Sequence, residues 1–290
     1  MIVHIKKLLG DAEKKKYALP AFNVANLETI NAIILAAEKL KAPLIMQATE
    51  NAFEFAGFEE LSALMISAAE NATVPIALHL DHGKTLDMVK KCVDAGFSSV
   101  MIDASRFEFA ENVKLTKEAV KIAHKKNAWV QAELGRLEGI EDWVKTGAKE
   151  KFLTEPEEAA KFVEQTKIDA FAPAIGNYHG LEKLIEKKKI KLDLGRLAQI
   201  HDTIDLPLVM HGSSGTKPAM MKKLIGFGIR VFNVDSELRL AYIEAERRAL
   251  CGGKEERNIR DVLASAIEAM RKVAEKKLVA CGCAGKAGRN

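Results

Sequence analysis

Ile76-Ala77-Leu78-His79-Leu80-Asp81-His82-Gly83 is an apolar run of strand character that ends in an acid, a histidine and a glycine. Packing alone gives no reason for a buried strand to finish that way. Simple alternation sends His79 and Asp81 to one face and Leu80 and His82 to the other, until Gly83 releases the backbone. Two further runs end alike: Phe171-Ala172-Pro173-Ala174-Ile175-Gly176-Asn177-Tyr178-His179-Gly180, and Leu208-Val209-Met210-His211-Gly212. Three histidines, each closing an apolar strand and each followed by glycine, form the pattern to be explained.

Outward from that stretch, strand-like runs fall at 17–24, 43–49, 76–83, 99–104, 129–134, 169–175, 207–210 and 229–234. Between them lie segments of helical spacing at 27–40, 58–71, 86–95, 110–126, 194–205, 218–227 and 237–250. Asn26 is placed to cap the first of these, and Thr154, with Pro156 and Glu157 behind it, to cap a helix before the sixth strand. A short helix at 3–9 precedes the first strand, and one or two helices at 257–279 close the chain. Alternation of this kind means parallel strands joined by right-handed crossovers. Eight units predict a single α/β domain over 1–280, a (β/α)8 TIM barrel with a C-terminal helical extension, and a flexible tail over 281–290. A doubly wound open sheet is the runner-up, but the Gly-rich first turn it usually carries is missing. The polar stretch 135–152 is too long for an ordinary connection and reads as a lid.

Composition narrows the function classes. Lys and Arg number 44 against 40 Asp and Glu, a surplus too small and dispersed to argue for nucleic acid. No apolar run reaches the roughly 18 residues that span a bilayer, and no signal-peptide core opens the chain. The four cysteines lack CxxC spacing and read as reduced thiols. A soluble, cytoplasmic protein without membrane or nucleic-acid partners is the expectation. Lys187-Lys188-Lys189 reads as a solvated basic loop.

In a barrel the carboxyl ends of the strands share one face, so His82, His179 and His211 converge there. Three neutral imidazoles with an open fourth position suit a catalytic Zn2+ ion that polarises a substrate oxygen. Asp81, beside the first of them, suits a base that later returns its proton, or else simply holds His82. Asp103 and Glu133 read as carboxylates that orient the histidines, and His79 either orients Asp81 or packs. His4, His124 and His201 fall on predicted helices or the terminus and read as surface. Gly212-Ser213-Ser214-Gly215 and Asn233-Val234-Asp235-Ser236 close strands seven and eight ahead of helices, the place where such barrels bind phosphate. The substrate expected is a small phosphorylated anion.

Taken together these residues resemble the class II, metal-dependent fructose-bisphosphate aldolase family, which also holds tagatose-bisphosphate aldolases. The resemblance runs from Pro20-Ala21-Phe22-Asn23 through His79-Leu80-Asp81-His82-Gly83, Glu133-Leu134-Gly135-Arg136-Leu137, His179-Gly180, Lys191-Leu192-Asp193, His211-Gly212 and Asn233-Val234-Asp235 to Ala284-Gly285-Lys286-Ala287. It implies one zinc ion on His82, His179 and His211, with Asp81 moving the hydroxyl proton and Asn233 holding the enediolate. Glu141 matches the acid of a mobile loop that exchanges the proton on the nucleophilic carbon. Gly180, Gly212, Ser214, Asp235 and Ser236 match the dihydroxyacetone-phosphate end, often with a Na+ or K+ ion nearby. Asn23, Thr49, Lys183 and Arg239 complete the substrate side, Arg239 by bidentate pairing with a distal phosphate. The activity implied is reversible aldol cleavage of a ketose 1,6-bisphosphate, fructose favoured over tagatose, by a homodimer or homotetramer.

Departures from the family pattern are specific. Ser213 replaces a glycine, the pair Asn177-Tyr178 stands where a smaller pair is common and places Tyr178 to narrow the mouth of the site, and Arg106 stands where a histidine often is. Asp235 and Arg239 look like fructose-bisphosphate members, whereas Glu237 looks like tagatose-bisphosphate members. An aldolase of another phosphorylated substrate and a catalytically silent metal-binding paralogue are the alternatives. Retention of Asp81, Glu141 and Asn233 beside the histidines argues against silence.

Overall fold

The computed structural model describes all residues other than 137, 142, 143, 147–151, 187–189, 252–257, 289 and 290, and only the backbone of 138–141, 144–146, 182 and 183. The elements in order are α1 (Ile5–Lys15), β1 (Leu19–Asn23), α2 (Leu27–Leu40), β2 (Leu44–Thr49), α3 (Glu50–Ala56), α4 (Phe58–Asn71), β3 (Ile76–Gly83), α5 (Leu86–Asp94), β4 (Ser99–Ile102), α6 (Phe109–His124) and β5 (Trp129–Leu134). There follow β6 (Glu138–Glu141), β7 (Val144–Thr146), α7 (Pro156–Thr166), β8 (Ala170–Pro173), β9 (Tyr178–His179), α8 (Glu182–Ile185) and α9 (Leu194–Thr203). β10 (Leu208–Met210), α10 (Pro218–Gly226), β11 (Ile229–Val234), α11 (Ser236–Cys251) and α12 (Ile259–Ala280) complete the chain.

Eight strands close in the order β1-β11-β10-β8-β5-β4-β3-β2, every pair parallel. The expected barrel is therefore present. Its strands are buried on both faces, which explains their near-continuous apolar sequence. Asn26 caps α2 through a reciprocal box with Thr29. α1 lies against β1, β3 and β11 and buries Ile5, Leu8 and Leu9, which closes the amino end of the barrel. Chemistry is thereby confined to the opposite end.

Three expectations are corrected. α1 runs from Ile5 to Lys15, not over 3–9. Thr154 does not cap α7; its hydroxyl donates to the Leu134 carbonyl and accepts the Ala174 N–H at 2.8 Å, stitching β5 to the segment after β8. The residue that caps α7 is Glu155, without a side-chain bond. Residues 281–288 do not hang loose: Cys281 and Cys283 are buried, and the N–H groups of Gly285 and Ala287 donate to the carbonyls of Leu40 (2.8 Å) and Lys41 (2.9 Å). The orphan carbonyls at the end of α2 receive them, which is why a Gly-rich segment is ordered there.

Candidate active site

β3 delivers the central pair, and it does so by breaking its own alternation. Pairing with β2 stays regular through Thr49↔Asp81, but on the β4 side the register slips by one residue between Leu80 and Gly83. At this bulge His82 adopts φ +45°, a left-handed conformation that a side-chain-bearing residue holds only at some cost. Gly83 follows because a Cβ there would meet the Met101 carbonyl at 2.6 Å. The consequence reverses the sequence expectation. Asp81 and His82 turn to the same side, with Nε2 of His82 3.8 Å from Oδ1 of Asp81.

His211 follows β10 directly, but His179 does not close the sixth barrel strand as expected. That strand, β8, ends at Pro173, and His179 lies on β9, which pairs with β6 in a separate sheet ordered β7-β6-β9. The stretch expected as a lid thus supplies β6 and β7. Two contacts bring β9 to β10. Asn177 accepts the Ile175 N–H and donates to the His211 carbonyl at 3.0 Å. Gly212, at φ +60°, lets the Tyr178 carbonyl approach to 2.5 Å from where a Cβ would stand. Any side chain at 212 would force the two histidines apart.

The three rings gather with centroids 4.6 Å (His82 to His211), 5.8 Å (His82 to His179) and 6.1 Å (His179 to His211) apart. Ligand atoms from His82, Glu133, His179 and His211 all lie within 4.8 Å of one another. Each of two rings is held by a carboxylate on Nδ1: Asp103 Oδ2 at 2.8 Å from His82, and Glu133 Oε2 at 2.6 Å from His211. Asp103 is itself fixed by the N–H (3.1 Å) and hydroxyl (2.8 Å) of Ser105. A carboxylate on Nδ1 sets the tautomer and presents Nε2 as the basic donor, the outer support that metal-ligating histidines ordinarily have. This donor set fits a divalent ion such as zinc, with Glu133 engaged chiefly with His211.

Asp81 is buried and held from both sides. Its Oδ2 accepts the Asn23 amide at 2.7 Å, and its Oδ1 accepts the Asn233 amide at 3.0 Å. Behind Asn23, the Gln47 amide donates to its Oδ1 at 2.8 Å, so one chain of hydrogen bonds crosses from β2 to β3. Gln131 reaches His211 Nε2 from below at 2.7 Å, holding the lone pair that an ion would use. Neither glutamine was picked out from sequence, where each is one polar residue inside an apolar strand. Its position in a fully buried strand was the available signal. His79 does not touch Asp81. It bonds Ser99 Oγ at 2.8 Å inside the barrel, where burial, with the charges of His211 and His82 adding, pushes its pKa down to about 3. It is a neutral packing residue.

Asn23, Thr49, Asp81, His179, Gly180, Gly212, Ser214, Asn233, Asp235, Ser236 and Arg239 line one pocket. Thr49 also caps α3, and Ser236 opens α11, whose N-terminus therefore points at the pocket. Arg239 is paired with Asp235 at 2.8 Å, and both are partly exposed. Ser213 shows why a glycine is dispensable at its position: it is fully buried, has no positive φ, and its hydroxyl donates to the Asn233 carbonyl, tying β10 to β11. Tyr178 is buried and does not narrow this pocket. The side chains of Glu141 and Lys183 lie outside the described residues; their backbones belong to β6 and α8. His4 caps α1 and His124 pairs with Asp169, both away from the site.

This geometry has relatives. A family model described as fructose-bisphosphate aldolase class-II matches residues 3–286. The chain belongs to the class II fructose-bisphosphate aldolase family. Among solved structures it is similar to the YdjI aldolase of Escherichia coli K12, with 33% identity over 99% of this chain and 100% of that one, at a TM-score of 0.86. It is likewise similar to a protein of Coccidioides immitis assigned as a fructose-1,6-bisphosphate aldolase, with 34% identity over 97% and 96% of the two chains and a TM-score of 0.88. The fructose-bisphosphate aldolase of Campylobacter jejuni shares the fold at 23% identity, over 98% and 96%, with a TM-score of 0.77. Class II aldolases depend on a metal ion, and this one, as an aldolase, carries a His and Glu cluster placed to hold it.

Proposed function

We propose that the chain catalyses zinc-dependent, reversible cleavage of a ketose 1,6-bisphosphate, fructose 1,6-bisphosphate before tagatose 1,6-bisphosphate, to dihydroxyacetone phosphate and glyceraldehyde 3-phosphate. One observation carries the reading. A buried carboxylate, Asp81, stands between two amide donors within 3.8 Å of a histidine cluster, at the wall of a pocket lined by Ser214, Ser236, Gly180 and Gly212.

His82, His179 and His211 would hold the ion, which when bound supplies a Lewis acid for the ketose carbonyl. Asp81 accepts the proton of the C4 hydroxyl as the C3–C4 bond breaks, and returns it in the condensation direction. Asn23 and Asn233 fix the carboxylate so that one oxygen faces the substrate, and the Asn233 amide is in reach of the charge that develops on the three-carbon fragment. Phosphate is received by the serine hydroxyls and the N-terminus of α11. Glu141, on β6 beside β9, is the candidate for proton exchange on the nucleophilic carbon. No lysine is needed as a Schiff base; Lys84 instead donates to Asn51. Glu237, characteristic of tagatose-bisphosphate members, is what keeps tagatose 1,6-bisphosphate as the second reading. A homodimer or homotetramer in the cytoplasm completes the proposal.

The test is cleavage of both sugars side by side, before and after chelation. Activity that chelator removes and zinc restores is expected. Cleavage that survives full chelation would sink the metal chemistry, and no cleavage of either sugar by zinc-loaded protein would sink the substrate.

A further inference from the structure

Lys277 is an anomaly of the surface helix α12. A lysine is seldom buried unless it is paired with an opposite charge, and this one is only 5% exposed, on the last turn of α12. Its Nζ lies 2.8 Å from Oε1 of Glu237 and donates to the Thr216 carbonyl at 3.5 Å. Glu237 stands in the first turn of α11, next to Ser236, and the same Oε1 accepts the Gly215 N–H. Its own N–H donates to Ser214 Oγ at 3.4 Å. One ion pair therefore ties the C-terminal helix to both halves of the phosphate pocket, the loop after β10 and the N-terminus of α11.

We propose that Lys277 is a positioning residue for the anionic end of the substrate, acting through Glu237. The inference rests on the phosphate reading of this pocket. Glu237 shapes the loop by accepting the Gly215 N–H, but it also brings a negative charge beside a site meant for an anion. Lys277 cancels that charge from behind without touching substrate. The other pair at the pocket, Asp235 with Arg239, is neutral as well and sits where water screens it. At the phosphate end of the pocket these two pairs balance, and loss of Lys277 alone leaves the Glu237 carboxylate uncompensated there. In a partly buried setting a single charge near an anion changes binding by about five- to tenfold.

The experiment uses the full zinc-loaded chain with inorganic phosphate as the probe, read by direct titration and as an inhibitor of turnover. Lys277→Met should weaken phosphate binding by about tenfold and raise KM with it, while kcat falls far less. Glu237→Gln keeps an acceptor for Gly215, leaves Lys277 as excess positive charge, and should tighten phosphate. The double variant should return close to wild type. A purely structural brace would instead weaken phosphate in both single variants, and shifts in one direction, or none, overturn the proposal. Should Lys277→Met fail to fold, the sign of the Glu237→Gln effect still decides. A wild-type chain that binds zinc but no phosphate would overturn the phosphate reading together with the inference built on it.

Discussion

Asp81 owes its function to its neighbours. The amides of Asn23 and Asn233 occupy one oxygen each, and both are neutral donors that orient the carboxylate without supplying a proton of their own. Asp81→Asn keeps the volume but removes the base and reverses the hydrogen-bond sense at one oxygen. Turnover should fall by about 10²–10⁴-fold, while zinc content by elemental analysis stays at the wild-type level. Equal loss of zinc and of turnover would make Asp81 a support for His82 and nothing more. At this scale the sequence was informative about which residues matter and silent on how they point. Alternation placed Asp81 and His82 on opposite faces. The bulge that unites them depends on a left-handed φ at His82, and no periodicity in the sequence announces a single residue in that conformation.

Elements position these residues, and α1 shows how far from the chemistry that support begins. Glu13, near the end of α1, bonds Nε of Arg230 at 2.6 Å, and Arg230 is almost wholly buried in β11, its Nη1 donating to the Ile225 carbonyl at 2.8 Å. The hydrogen bond from Arg230 holds the Glu13 pKa at about 2, below its ordinary 4.5, against the opposing effect of burial. Between those two values the unfolded chain binds more protons than the folded one. Stability from this pair is therefore fully present above about pH 4.5 and is lost as pH falls toward 2. Glu13→Gln should lower stability by roughly 1–3 kcal/mol at neutral pH, the usual worth of a hydrogen bond to a charged group, with solvent access keeping it toward the lower end. It should also flatten the acid limb of the urea midpoint over that window. An unchanged acid limb would show that the pair contributes nothing to the closure of the barrel base. Helix starts were legible where capping chemistry was simple, as at Asn26. Thr154 misled because its hydroxyl serves strand-to-strand stitching, a tertiary demand that overrides a local signature.

For the molecule as a whole, eight alternating strands and helices were enough to define the barrel, since parallel strands with right-handed crossovers leave few other closures. The small sheet of β6, β7 and β9 was not legible, because its strands are two to four residues long and pair across the chain. That division has a thermodynamic consequence. The apolar core is continuous along the barrel strands, whereas His179 is carried on β9, outside the barrel sheet, with Asn177 and Gly212 joining that segment to β10. Removal of the ion should leave the barrel folded. At a zinc concentration a hundred times its Kd, bound ion adds about 2.7 kcal/mol, so chelation should lower Tm by roughly 5 °C in a chain of this size. Hydrogen exchange should quicken at 176–180 and at 138–141 while β2, β3 and β11 keep their protection, because local opening follows the least-supported contacts. If chelation unfolded the chain outright, or loosened the barrel strands together with β9, the histidine cluster would be a condition of the fold. Loosening confined to β9 and its partner makes it a site assembled on a barrel that stands without it.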